Sequence, residues 1–205
     1  GGETAILPDL ARGIDVVCTV LAEKRRGFVN RASPGDAIMG VASSGLHANG
    51  YTLVRRILES SGIGYRGDIG GVRLEEELLR PTAVYSPMLI EALESGAVTG
   101  AAHITGGAFS KVKRILPPNS DAVMEVPEPP RIFRVLMELG RVPVDEMYRV
   151  FNMGIGLVLT APSDRVDEVL RIASRHGHRA FLLGRVVEGR GRVVLKTPWG
   201  VDVEL

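Results

Sequence analysis

Two short polar segments hold most of the side chains in this sequence that could do chemistry. The segment 43–50 contains Ser-Ser-Gly-Leu-His-Ala-Asn-Gly, and the segment 103–107 contains His-Ile-Thr-Gly-Gly. Glycine lets backbone N–H groups approach an anion closely, hydroxyls donate further hydrogen bonds, and histidine transfers protons near neutral pH. Each segment therefore predicts a site for an anionic ligand with a proton carrier beside it.

Each residue type in these segments indicates a role. His47 and His103 are the candidates for proton transfer or charge stabilisation, and Asn49 could cap a helix or orient a ligand. The candidates for ligand binding are Ser43, Ser44, Gly45, Asn49, Gly50, Thr105, Gly106 and Gly107. The structural alternative for 43–50 is a tight turn with a capping Asn, and a single His at a strand end is more often structural.

Both segments lie between a predicted strand and a predicted helix. Apolar runs predict strands at 36–42 and 98–104, and apolar residues at helical spacing predict helices at 50–61 and around 108–115. The start of a helix offers free backbone N–H groups and the positive end of the helix dipole. The predicted elements therefore place both segments where an anion binds readily.

The rest of the chain alternates helices and strands joined by mostly short connections. Helices are predicted at 75–80, 87–95, 130–139, 143–149 and 164–174, the last with Ser163 as its N-cap. Strands are predicted at 14–24, 121–126, 153–160, 179–187, 192–196 and 201–205, and the glycine-rich stretch 62–71 is expected to be irregular. This pattern predicts an α+β fold, a layered α/β sandwich around a mixed sheet.

Two other segments combine glycines with polar residues. At 151–156 the sequence is Phe-Asn-Met-Gly-Ile-Gly, and its alternating glycines allow close approach of a backbone or a ligand. Tight strand packing is the favoured interpretation for Gly156. The opening Gly-Gly-Glu-Thr supplies the carboxylate of Glu3 and the hydroxyl of Thr4, but taken alone a frayed terminus explains it as well.

Three patterns suggest functions that their context does not support. The G-x-G-x-x-G match at 62–67 follows a predicted helix, whereas a dinucleotide site needs a preceding strand. His176 and His178 have no Cys or further His nearby, so a solvated turn is favoured over a metal site. Cys18 lies in an apolar run without an evident activating charge, which favours an inert thiol. The sequence therefore predicts no metal site.

Composition excludes several classes of protein. The 25 basic and 24 acidic residues nearly cancel, which argues against nucleic acid as a partner, and no apolar run is long enough to cross a membrane. The single Cys and the absence of a visible signal peptide predict a cytoplasmic protein. Four Asn and no Gln favour a thermophilic source. The 21 Arg against 4 Lys are a weaker signal, because they equally fit a GC-rich genome.

Taken in order, the motifs resemble the phosphoribosylformylglycinamidine cyclo-ligase family, also called the aminoimidazole ribonucleotide synthetases. The resemblance is carried by 1–5, 34–36, 43–51, 81–82, 103–107, 129–130, 132–133, 146–148, 151–156 and 184–186. The two His motifs together with Asn-Met-Gly-Ile-Gly separate this family from formylglycinamide ribonucleotide amidotransferases, selenophosphate synthetases and thiamine-monophosphate kinases. The departures are Ala-Ile-Leu at 5–7, Ala108 in place of a third glycine, and Tyr-Ser-Pro at 85–87.

The resemblance implies an organisation in domains. Members of the family carry an N-terminal domain that builds most of the ATP and Mg²⁺ site and the dimer interface. By this comparison, 1–12 is an interdomain linker, 13–205 is the C-terminal domain, and the N-terminal ATP-binding domain is absent from this chain. Glu3 and Thr4 would lie at the domain junction, near the transferred phosphate. The chain alone is then expected to hold neither ATP nor Mg²⁺ tightly and to be inactive.

The resemblance also implies an activity. The family reaction is the ATP-dependent closure of formylglycinamidine ribonucleotide to aminoimidazole ribonucleotide in de novo purine biosynthesis, with release of ADP and phosphate. The expected partners are the phosphorylated ribonucleotide substrate, the chain's own N-terminal domain and a second copy in a homodimer. Two alternatives stay open. One is a separately encoded, non-catalytic module that binds a ligand or complements a partner, and the other is a relative that handles another small phosphorylated substrate.

Overall fold

A seven-stranded mixed sheet forms the centre of the computed structural model, which describes residues 19–21 and 27–205. The strands are β1 (Ala37–Ala42), β2 (Asp68–Ile69), β3 (Val72–Arg73), β4 (Gly100–His103), β5 (Ser120–Glu125), β6 (Ile155–Ala161), β7 (Ala180–Glu188), β8 (Val193–Lys196) and β9 (Asp202–Glu204). The order in the sheet is β4-β6-β1-β7-β5-β8-β9, and β2 and β3 form a separate hairpin. Within the sheet β5 and β8 run parallel, and the remaining pairs are antiparallel.

Helices cover the sheet on both faces. They are α1 (Tyr51–Ser61), α2 (Leu74–Leu78), α3 (Ser86–Glu94), α4 (Arg131–Gly140), α5 (Val144–Val150) and α6 (Val166–Arg175), with 3-10 helices at Ala108–Ile115 and Ser163–Arg165. On one face, Ile38 of β1 belongs to a core with α1, α4, α5 and the longer 3-10 helix. On the other, Met39 packs with α3 and α6. Adjacent strand residues point to opposite faces, so the layered sandwich is confirmed.

Several local predictions differ from the structure. Residues 19–21 form no strand, and the remainder of the predicted strand 14–24, Cys18 included, lies outside the described residues. The segment 108–115 is a 3-10 helix, and the stretch 62–71 contains β2 and contributes to the hairpin with β3. Ser163 does not cap α6, because a short 3-10 turn starts there and Arg165 occupies the N-cap without a side-chain bond.

Within the described ranges 19–21 and 27–205, no helix is long and apolar enough to span a membrane.

Candidate functional site

The loop 43–50 follows β1 and is held by the side chain of Asn152, which is 1% exposed. The Nδ2 group of Asn152 donates to the carbonyl oxygens of Gly45 at 2.8 Å and Leu46 at 3.1 Å. Its Oδ1 accepts the backbone N–H of Gly154 at 2.8 Å. One buried amide therefore fixes the loop to the start of β6, where the sequence only suggested a motif rich in glycine.

Both serines of this loop have partners within the protein. The Ser43 hydroxyl lies 2.9 Å from the carbonyl oxygen of Gly45 and 3.0 Å from Oδ1 of Asn152. The Ser44 hydroxyl donates to the carbonyl oxygen of Pro81 at 2.6 Å. These bonds shape the loop, and the binding of a ligand by either hydroxyl stays a prediction.

His47 is a buried imidazole with one free nitrogen. The residue is 5% exposed, and its Nε2 accepts the backbone N–H of Ser44 at 3.1 Å and faces that of Ala83 at 3.4 Å. The neutral ring therefore carries its proton on Nδ1, which is buried and without a hydrogen-bond partner in the described part of the chain. Burial, and then the nearby His103, lower the pKa of His47 to about 4. At neutral pH the ring thus offers an uncharged N–H donor.

His103 ends β4 at the second candidate segment. Its side chain is exposed, and partial burial lowers its pKa. The next residue, Ile104, donates its N–H to the carbonyl oxygen of Gly156 at 2.9 Å, which sets the segment against β6. An exposed imidazole with a lowered pKa is mostly unprotonated at neutral pH, so His103 can accept a proton.

The glycines after His103 leave backbone donors free. Gly107 has φ of 83°, and the 3-10 helix starts at Ala108, whose N–H bonds to the carbonyl oxygen of Thr105 at 2.6 Å. Among the residues described here, the N–H groups of Gly106 and Gly107 donate to no acceptor. Ala108 itself has φ of 42°, a left-handed conformation that glycine adopts more readily than alanine. The segment is therefore built as an open turn with donors exposed.

The structure brings the two segments together. A Cβ built on Gly106 would lie 3.6 Å from Oδ1 of Asn49, so the amide of the first loop faces the turn of the second. Asn49 does not cap α1, because Gly50 is the N-cap with φ of 81° and no side-chain cap bond is formed. The capping interpretation of Asn49 is wrong, and its amide is directed instead toward the shared space.

Two glycines of the site are required by close packing. A Cβ on Gly50 would overlap the ring of Phe151. A Cβ on Gly156 would overlap the Tyr85 hydroxyl and lie 2.7 Å from Cε1 of His47. Tight packing at Gly156 is therefore confirmed, and it occurs directly beside the candidate histidine.

Three residues of the site were missed among the sequence candidates. Tyr85, 7% exposed, packs its ring against His47 and His103, each at a centroid distance of 6.1 Å. Arg80 Cδ lies 3.7 Å from the position of a Cβ on Gly45, and Lys111 Cε lies 3.8 Å from that on Gly107. The sequence offered a signal for Tyr85, which departs from the resembled pattern, and for Lys111, which follows Gly107 by four positions, but it offered none that links Arg80 to Gly45.

The two cations differ in their partners. Arg80 pairs with Glu77 at 2.6 Å, whereas Lys111 forms no ion pair within the described residues. Positive charge beside exposed N–H donors favours a phosphate or another anion. The arrangement thus combines a neutral N–H donor, an unprotonated imidazole and two cations, which suits stabilisation of negative charge on a small ligand.

Glu3 and Thr4 are outside the described residues. His176 bonds to Glu91 at 2.6 Å between α6 and α3, and His178 packs on Tyr85 at 5.1 Å. In the described part of the chain, no group of three or more His, Cys, Asp or Glu side chains could hold a metal ion.

Comparisons with known proteins show the family to which the chain belongs. The family described as AIR synthase related protein, C-terminal domain, matches residues 33–196. Phosphoribosylformylglycinamidine cyclo-ligase of Saccharolobus solfataricus is 42% identical over 200 residues, which cover 96% of this chain and 57% of that protein. The enzyme of the same name from Thermococcus kodakarensis is 42% identical over 191 residues, or 91% of this chain and 55% of that protein. The chain thus spans about half the length of these relatives.

Solved structures agree on the fold. Hydrogenase maturation protein HypE in complex with ATP has a TM-score of 0.58 and 20% identity, covering 86% of this chain and 51% of that one. Thiamine-monophosphate kinase from Stenotrophomonas maltophilia has a TM-score of 0.53 and 18% identity, covering 81% of this chain and 51% of that one. The fold is therefore one shared by several different proteins.

Proposed function

Because the chain belongs to the family of AIR synthase related proteins, C-terminal domain, we propose that it is the C-terminal part of an ATP-dependent cyclo-ligase. The reaction is the conversion of formylglycinamidine ribonucleotide to aminoimidazole ribonucleotide in de novo purine biosynthesis, with ADP and phosphate as the other products. One observation carries the proposal beyond family membership. The two His segments, 56 residues apart between His47 and His103, lie side by side, and His47 carries a buried N–H donor that has no partner among the described residues.

The residues of this site suit a cyclisation driven by phosphorylation. In the family reaction, ATP phosphorylates the formyl amide oxygen, an internal nitrogen attacks the activated carbon, and phosphate leaves. Such a reaction needs positioned donors for negative charge and groups that move protons more than it needs a covalent nucleophile. The site supplies donors and an unprotonated imidazole, and it contains no activated thiol among the residues described.

Each side chain has a proposed role. The Nδ1–H of His47 donates to an oxygen of the substrate, and His103 takes the proton released by the attacking nitrogen. The amides of Gly106 and Gly107, with Lys111, bind the substrate phosphate or amide, and the Asn49 amide orients the ring that closes. These roles use atoms that have no hydrogen-bond or ion-pair partner among residues 19–21 and 27–205.

ATP and Mg²⁺ are proposed to bind mainly outside this chain. The described residues contain no carboxylate cluster that could hold a metal ion, and the relatives are long enough to include a further domain. Leu79 and Val84, which are 81% and 70% exposed, flank the segment that packs on the His47 loop. Exposed apolar residues beside the site support a junction with an N-terminal domain, in a protein that acts as a homodimer.

The test is turnover of formylglycinamidine ribonucleotide with ATP by the full reading frame. We expect activity from the full protein and none from the 205 residues alone. Replacing both His47 and His103 by Ala in the full protein should remove nearly all turnover, whereas a matched His176→Ala variant should retain it. Near-full turnover by the double variant would exclude the proposed roles. Binding of the ribonucleotide without turnover by the full protein would favour the alternative, a non-catalytic binding module.

A further inference from the structure

Tyr85 occupies the centre of a cluster of histidines. Its ring lies 6.1 Å from the ring of His47, 6.1 Å from that of His103 and 5.1 Å from that of His178, measured between centroids. The three histidines come from three separate places in the fold, which are the loop after β1, the end of β4 and the connection before β7. One aromatic ring therefore contacts both candidate catalytic imidazoles.

The position of Tyr85 is fixed on several sides. Its hydroxyl donates to the carbonyl oxygen of Ala42 at 2.8 Å, at the end of β1 and directly before the loop 43–50. The hydroxyl also occupies the space that a side chain on Gly156 would need. The residue itself is the N-cap of α3 and belongs to the core with Met88. Tyr85 therefore contacts α3, β1 and β6, and these contacts fix the position of its ring.

We propose that Tyr85 is a positioning residue that holds His47 and His103 at the site and keeps water away from the ring faces it covers. The proposal rests on the proposed function, since it assigns Tyr85 to the same reaction. Aromatic rings at these distances pack in tilted or edge-on pairs, and the two pairs have interplanar angles of 54° and 74°. Tyr85 acts through the imidazoles and contributes no proton of its own.

The Tyr85 ring covers part of each imidazole, and this partial removal of water favours the neutral form over the charged form. Burial is the largest cause of the lowered pKa of both histidines. For His47, the nearby His103 lowers the pKa further. Other titratable groups of the described residues near this cluster include His178, against the Tyr85 ring, the Arg80–Glu77 pair on the side of Gly45, and Lys111 on the side of Gly107. Removing the ring would admit water to both imidazoles and make them easier to protonate.

The experiment follows the histidine ring protons of the 205-residue chain by NMR as the pH is varied. In the unaltered chain, His103 should titrate below 6.5, and ring protons of Tyr85 and His103 should show a through-space contact. Tyr85→Phe, which keeps the ring, should retain both the low titration midpoint of His103 and the through-space contact. Tyr85→Leu should raise the pKa of His103, which is seen as a shift of its titration midpoint to higher pH. The matched control is Tyr65→Leu, because Tyr65 is 52% exposed, and it should change nothing.

Each outcome decides the proposal. An unchanged His103 titration in a folded Tyr85→Leu chain would overturn it, as would a missing contact between the two rings in the unaltered chain. The contact measurement stands even if Tyr85→Leu fails to fold. In the active full protein, Tyr85→Leu should also shift the acidic limb of kcat/KM to higher pH, with Tyr85→Phe restoring it. Failure of the proposed function would show as absent turnover, whereas failure of the positioning role would show in the chain's own titration.

Discussion

At the scale of the residue, the burial of His47 makes the free energy of unfolding depend on pH. Its pKa in the folded chain is about 4, against an ordinary value of 6.5. Between these pH values the unfolded chain binds a proton that the folded chain does not, so the free energy of unfolding falls as the pH falls. This loss amounts to roughly 3 kcal/mol when the pH reaches 4.

We predict that His47→Gln makes the free energy of unfolding depend less on pH between pH 6.5 and pH 4. Gln cannot titrate, so the variant should lose less stability than the unaltered chain between pH 6.5 and pH 4. Urea unfolding at several pH values measures the difference. Parallel curves for the two proteins would contradict a buried neutral imidazole at this position.

Glycine offers a second test at the residue scale, because Gly50 and Gly62 bracket the same helix in similar left-handed conformations. Their φ angles are 81° and 68°, but a Cβ on Gly50 would overlap Phe151 while one on Gly62 would meet nothing within 4 Å. Gly62→Ala should therefore lower the free energy of unfolding by about 1 kcal/mol, the cost of the backbone conformation alone. Gly50→Ala should cost about 2 kcal/mol more because of overpacking.

The comparison isolates the contact with Phe151. Chemical denaturation of the two Ala variants supplies the values, and the unaltered chain is the reference. If Gly50→Ala and Gly62→Ala lower the free energy of unfolding equally, the Phe151 ring moves aside without a measurable energetic penalty.

At the scale of the element, the loop 43–50 depends on an amide from another part of the chain. Asn152→Ala would leave the carbonyl oxygens of Gly45 and Leu46 and the N–H of Gly154 without this partner. Because these groups are buried, we predict a loss of about 3 kcal/mol in the free energy of unfolding. Hydrogen exchange at the Gly154 amide should accelerate at the same time.

Asn30 provides the matched control for this prediction. It exchanges two hydrogen bonds with the backbone of Ala101, at 3.0 Å and 2.7 Å, but in an exposed position. Water replaces such bonds, so Asn30→Ala should cost less than about 1 kcal/mol. If Asn152→Ala lowers the free energy of unfolding no more than Asn30→Ala does, the loop 43–50 does not depend on the Asn152 amide.

Most elements could be predicted from the sequence because their local signals agree with their packing. In α1, Val54, Ile57 and Leu58 recur at helical spacing and are all buried, and Gly62 ends the helix. The hairpin of β2 and β3 is only two residues per strand, too short for any periodicity to appear. Leu74 also lies at the start of a helix of five residues, where a boundary is hard to place.

The site was predictable in part. The glycines and histidines of the two segments follow predicted strands, so the position of each segment at a strand end could be predicted. The contact between the two segments could not, because the sequence does not show which strands are neighbours in the sheet. The ring of Tyr85 and the amide of Asn152 act across 38 and 105 residues, respectively, from His47, and one sequence does not show such pairings. Asn49 is a predicted helix cap because Asn before a helix commonly bonds to the local backbone, but the left-handed Gly50 occupies the N-cap position.

At the scale of the whole molecule, composition and ion pairs predict resistance to heat. Arg73 contacts both Glu75 and Glu76, and Arg192 contacts both Asp121 and Glu204. Networks of this kind contribute more at high temperature, when the cost of removing water from charges falls. We predict a thermal midpoint above about 65 °C, the upper part of the mesophilic range.

Calorimetry in low salt and in 1 M NaCl tests this prediction. Salt should lower the midpoint, because these pairs are mostly exposed and therefore screened. A midpoint within the mesophilic range, or no effect of salt, would contradict a role for the ion pairs in heat resistance.

The bond from Asn152 to Gly45 spans 107 residues of chain and has a consequence for synthesis. A ribosome adds about 5–20 residues each second, so the nascent loop waits roughly 5–20 s before its anchor has been translated. During that interval β1 also lacks β6 and β7, which are its two neighbours in the sheet. The loop that holds His47 is consequently completed late in folding. Codons or chaperones that alter the pace of translation between residues 45 and 152 would therefore alter the fraction of chains that fold correctly.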